Sequence, residues 1–73
     1  MILTNDWTLV GTNCLIQKFS AHPVSICYAP TIPTTEDTLS LTTNEHLVFP
    51  LAIGLNIYAR ATKEDTNITV VAL

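Results

Sequence analysis

Charge is scarce in this sequence. Lys18, Arg60 and Lys63 are its only cations, set against six carboxylates for a formal net charge of −3. A phosphate backbone is held by clustered Lys and Arg, and three scattered cations make no such patch, so nucleic acid is not an expected partner. Long apolar runs are missing as well. Nothing approaches the ~20 residues of a membrane-spanning helix. The start, Met1-Ile2-Leu3, runs directly into Thr4-Asn5-Asp6, with neither the basic beginning nor the long apolar core of a signal peptide. No membrane partner is expected. The Asn67-Ile68-Thr69 sequon then reads as a chance match inside a strand.

Glycine and cysteine are scarce too. With only Gly11 and Gly54 there is no glycine-rich phosphate loop. Cys14 and Cys27 read first as reduced, buried, small apolar side chains. Their spacing also suits a disulfide between adjacent antiparallel strands, which requires Cα atoms within ~7 Å. Helical periodicity is absent, and four prolines (Pro23, Pro30, Pro33, Pro50) discourage any long helix.

What is present reads as β-structure. Threonines and short β-branched or aromatic runs are separated by turn residues, the signature of strands. Trp7-Thr8-Leu9-Val10 closes at Gly11-Thr12-Asn13, and Cys14 to Phe19 closes at Ser20-Ala21-His22-Pro23. In the next strand Val24, Ile26 and Tyr28 share one face, with Ser25 and Cys27 on the other. Ala29 to Thr38, holding two prolines, is a loop and the longest candidate for a projecting contact surface. Thr38-Leu39-Ser40-Leu41 alternates briefly before a turn at Thr42-Thr43-Asn44-Glu45. Pro50 then limits His46 to Phe49 to a short or edge strand. Leu55 to Arg60 alternates clearly, with Leu55, Ile57 and Ala59 opposed to Asn56, Tyr58 and Arg60. A polar turn at Thr62 to Thr66 returns the chain into Asn67–Leu73, so these last two strands are expected to form a hairpin. The fold class is all-β: a small antiparallel β-sandwich or barrel of six to seven short strands.

Size bears on how such a fold is held. The 73 residues make a single β domain, residues 1–73, with residues 1–6 as an N-terminal arm. Scaling relations give a folded surface of roughly 4,500 Å² and burial of about 60% of the unfolded chain's surface. For so short a chain the gain from burial and the cost of ordering are of the same size. Hydrophobic residues make up 48%, charged residues 12%, and the mean hydropathy is +0.38, where a soluble domain carries about 25% charged residues. Neighbouring subunits resolve both problems. The interface candidates are the apolar start (Met1, Ile2, Leu3), the proline loop (Pro30, Ile32, Pro33), Tyr58 with Arg60, and Leu73 at an exposed strand edge.

The residues offer little chemistry. His22 and His46 lie in turn contexts, and neither they nor the cysteines have C-x-x-C or H-x-x-x-H spacing, so no metal or other cofactor is expected. Cys27 alternates with apolar neighbours and reads as packing rather than as a nucleophile. The pairs Glu36-Asp37 and Glu64-Asp65 resemble carboxylate dyads, but in polar loops solvation keeps them ordinary. The chain is therefore read as non-enzymatic. Trp7, Tyr28 and Tyr58 suggest sugar stacking, although alternating strands place them more naturally in or beside the core. Arg60 either meets a carboxylate on a partner or stacks on Tyr58.

At Gly54-Leu55-Asn56-Ile57-Tyr58-Ala59-Arg60-Ala61 the sequence resembles a group of very short virion proteins of tailed bacteriophages. The order of elements is similar over most of the chain: Trp7-Thr8-Leu9-Val10, Ile16-Gln17, Pro23-Val24-Ser25-Ile26, Ala29-Pro30, Asn44-Glu45, and a closing Ile68-Thr69-Val70-Val71. Lys63-Glu64-Asp65 stands where that group usually carries a glycine-rich loop. The resemblance implies a compact β-sandwich that oligomerises, with a trimer favoured, and that decorates or completes the virion after assembly in the host cytoplasm. Its partners would be the major capsid protein or other virion proteins. The leading expectation is a capsid decoration (cement) protein. A tail, portal-vertex or fibre-attachment component is the first alternative, and a small carbohydrate-binding module is the second.

Overall fold

The computed structural model describes residues 1–33, 39–41 and 45–73 (for 39–41 and 45, the backbone alone). Eight strands form among them: β1 (Ile2–Leu3), β2 (Thr8–Gly11), β3 (Cys14–Lys18), β4 (Val24–Ala29), β5 (Leu39–Leu41), β6 (Glu45–Phe49), β7 (Asn56–Ala61) and β8 (Thr66–Ala72). No helix is present among the described residues. The strands make two four-stranded antiparallel sheets, ordered β1-β8-β3-β6 and β2-β7-β4-β5. The sandwich is realised and the barrel is not. The strand beyond the expected six to seven is β1, too short to carry an alternating pattern.

The pairing is nested. β4 pairs with β5, β3 with β6, β2 with β7 and β1 with β8, so the chain is one long hairpin wound into two layers. That order is a jelly roll. It overturns the expected hairpin between the last two strands: β7 lies in one sheet and β8 in the other. The polar link between them crosses the sandwich instead of turning within a sheet.

Period-two burial builds the core. Cys14 and Ile16 of β3, Ile68 of β8 and Phe49 of β6 face Val24 and Ile26 of β4 and Ile57, Ala59 and Ala61 of β7. Tyr28 and Phe49 close one end, with ring centroids 6.4 Å apart, and the Tyr28 hydroxyl donates to the Pro50 carbonyl at 2.6 Å. At the other end Lys18 is fully buried, and its ammonium donates to the Ser20 carbonyl.

Two expectations about the N-terminus are corrected. Residues 1–6 do not project as an arm, because Ile2 and Leu3 pair with Asn67 and Thr66. Leu3, an interface candidate, is a fully buried core residue. The physical reason is that β8 presents backbone groups and an apolar inner face that a β-branched/leucine pair satisfies locally. Cys14 and Cys27 are both free thiols.

Candidate functional site

The strand ends sort the molecule into two unlike ends. Gly11 pairs with Ile57, Cys14 with both Phe49 and Ala72, and Ala29 with Asn56. Asn56 Nδ2 donates to the Pro30 carbonyl at 3.3 Å, and the Leu73 N–H donates to Asn13 O at 3.0 Å. These contacts gather residues 11–13, 29–33, 49–56 and 72–73 at one end. None of those residues has a charged side chain. The charged side chains among the described residues lie elsewhere: Asp6 follows β1, Lys18 ends β3, Lys63, Glu64 and Asp65 join β7 to β8, and Arg60 lies in β7. His22 Nε2 sits 3.3 Å from Glu64 Oε2 at that opposite end.

This end, without charged side chains among the described residues, is also apolar and exposed. Leu51, Ile32 and Leu73 are each about 60% exposed, and Ile53 is 95% exposed. The local sequence explains Ile53. The Leu55 N–H donates to Ala52 O at 3.0 Å, closing a turn in which Gly54 adopts φ +81°. A positive φ at that position is the type II pattern, and glycine supplies it. Ile53, at the turn's leading corner, is thereby held away from the core. A β-branched apolar side chain at such a tip gains nothing for the monomer.

The expected interface residues divide between regions. Pro30, Ile32, Pro33 and Leu73 come together at the uncharged end. Met1 and Ile2 are exposed beside β8 at the opposite end, where the Met1 ammonium donates to Ile68 O and Asn67 Oδ1. Tyr58 and Arg60 do share the outer face of the β2-β7-β4-β5 sheet. Tyr58, however, is only 7% exposed between Leu9 and Cys27 in register, so its ring is not an open contact. Arg60 stacks on Trp7, 4.8 Å from the ring centroid. The remainder of the expected contact loop, residues 34–38, including the Glu36-Asp37 pair, lies outside the described residues, as does the turn at 42–44. Leu51 and Ile53 are the residues that sequence reasoning missed. Their signal was an apolar pair just before the one glycine of a turn.

No family model, curated protein or solved structure matches the chain.

Among the described residues no three His, Cys, Asp or Glu side chains cluster as a metal site would require. Burial pushes the thiols of Cys14 and Cys27 up, with the Arg60 charge drawing Cys27 partly back. Burial and the nearby Cys14 also raise the Tyr28 hydroxyl. Raised thiol values leave little thiolate at neutral pH, the opposite of what a nucleophile needs. What the arrangement offers is an exposed apolar end without charged side chains among the described residues.

Proposed function

We propose that this chain is a non-enzymatic structural subunit of a bacteriophage virion, most specifically a capsid decoration protein that docks end-on against coat subunits. The observation that carries the docking is the uncharged end bearing Ile32, Leu51, Ile53 and Leu73. The assembly is named by the sequence resemblance, and jelly-roll sandwiches recur in viral capsid domains, a likeness of fold alone. Seating these side chains in the seams between coat subunits would stabilise the assembled shell by binding it in preference to free subunits. The chain acts as a homo-oligomer on the particle.

The test is co-sedimentation of purified protein with shells stripped of it. Leu51→Ser/Ile53→Ser should fold normally and bind about 10- to 100-fold more weakly. Equal binding by this double variant would overturn docking through that end. Copy number separates the two virion positions: on the order of hundreds per particle support decoration, and about a dozen or fewer support the tail or portal vertex. The carbohydrate reading is disfavoured by the aromatics. One Trp7 face is covered by Arg60, Tyr58 is buried, and the Tyr28 hydroxyl is bonded to Pro50.

A further inference from the structure

A sheet edge carries an inference independent of the docking end. Four strands are edges: β1 and β6 in one sheet, β2 and β5 in the other. Proteins guard edges with short strands, bulges, charge or proline. β1 has two residues, β5 has three, and β2 shifts register between Leu9 and Gly11. β6 differs. Its five residues pair with β3 without a register break, from Lys18↔Glu45 to Cys14↔Phe49.

The hydrogen-bond phase shows which groups are open. The Leu73 N–H donates to Asn13 O, so Asn13, Leu15 and Gln17 direct their backbone groups at β8, while Cys14, Ile16 and Lys18 direct theirs at β6. Their β6 partners Glu45, Leu47 and Phe49 therefore bond inward to β3. The N–H and C=O groups of His46 and Val48 point off the sheet, and among the described residues nothing pairs with them on that side. Leu47 faces the core side yet remains 38% exposed, because no strand flanks it there.

We propose that two copies of this chain pair through β6, antiparallel about a two-fold axis at Leu47. In that register His46 and the second copy's Val48 exchange both backbone hydrogen bonds, and the reciprocal pair does the same. Leu47 meets the second copy's Leu47 and covers the apolar surface that a lone edge leaves open. The charges also permit it. Each copy carries −3, but Glu45 falls opposite the second copy's Phe49, leaving the two glutamates four residues apart along the strand. That is about 14 Å, beyond the ~10 Å screening length at 0.1 M salt. Pro50, which cannot donate, falls just outside the paired segment. The product is a continuous eight-stranded sheet, isologous and closed. Edge pairing buries less than the ~1,200 Å² of a standard interface, so the dimer is weak and forms at high local concentration, as on a crowded particle.

Sedimentation velocity from about 10 µM to about 1 mM tests this, beside amide exchange at His46 and Val48. Wild-type protein should pass from monomer to dimer across that range, with both amides slowing as concentration rises. Val48→Pro removes an outward N–H from each copy and no bond to β3, so it should weaken the dimer about 30-fold with an unchanged circular dichroism spectrum. Leu47→Lys places a charge at the axis and should abolish pairing. A chain monomeric at 1 mM overturns the proposal. So does a dimer whose His46 and Val48 amides exchange at the monomer rate, or one that persists in both folded variants. Neither variant touches Ile32, Leu51, Ile53 or Leu73, so shell binding can fail or hold separately.

Discussion

At the scale of single residues, Ile53 and Gly54 make opposite demands on the same turn. Gly54 serves the fold. Its φ of +81° costs an L-residue about 1 kcal/mol or more, although a Cβ there would meet nothing within 4 Å. Gly54→Ala should therefore lower stability by about 1 kcal/mol in urea titration. Ile53, 95% exposed, adds little to the packing, so Ile53→Thr should leave the same titration within about 0.5 kcal/mol. The two free thiols give a second residue-scale expectation. Cys14, Cys27 and Tyr28 all have raised values, chiefly through burial, so the folded state holds these protons more tightly than the unfolded chain. Their contribution is fully present below the unfolded-state values and is lost as pH rises through the folded ones. Denaturation midpoints should thus decline above about pH 9. At pH 8 a thiol reagent should modify half-buried Cys27 before buried Cys14, and both more slowly than in urea.

Among the elements, β1 is the most informative. Two residues long, it nonetheless inserts Leu3 into the core and ties the Met1 carbonyl to the Ile68 N–H at 2.8 Å. Leu3→Ala should cost about 2–5 kcal/mol by leaving a cavity; an arm lying free would show almost no loss in the same melt. Strand existence was legible in the sequence wherever alternation ran four residues or more, as in Val24–Tyr28 and Asn56–Arg60. Two residues cannot display a period, so β1 was not legible. The pairing of β7 with β2 and β4 was not legible either, because a polar link such as Lys63-Glu64-Asp65 suits a hairpin turn and a crossing between sheets equally well. For the site, Pro30, Ile32, Pro33 and Leu73 were legible as exposed apolar or loop residues. Their meeting with Leu51 and Ile53 depends on contacts such as Asn56 to Pro30, which only the wound topology creates. Lys18 is the opposite case: the sequence reading counted it only as one of three scattered cations, and it is buried at the end of the core.

For the whole molecule, the nested pairing has a kinetic consequence. β1 meets β8 from opposite ends of the chain, and little except β4–β5 is local. Closure of such non-local contacts slows folding, so refolding in stopped-flow should take milliseconds to seconds, not microseconds. Prompt refolding on the microsecond scale would contradict the wound order. The molecule exposes 4384 Å², close to the roughly 4,500 Å² expected of a chain this size, so its apolar exposure is a matter of distribution and not of excess area. Among the described residues, one end of a 31 × 26 × 17 Å body carries no charged side chain, and the charged side chains lie away from it. On the proposed function, that polarity is what would orient so small a chain against its partner. The measurement that bears on the proposal most directly is a cryo-EM reconstruction of the phage particle on which we propose this chain sits. The account predicts the chain seated on the shell with the Ile53 turn and Ile32 buried against coat subunits and the Lys63–Asp65 end facing out. A map with that uncharged end in solvent, or a particle lacking the chain, would contradict it.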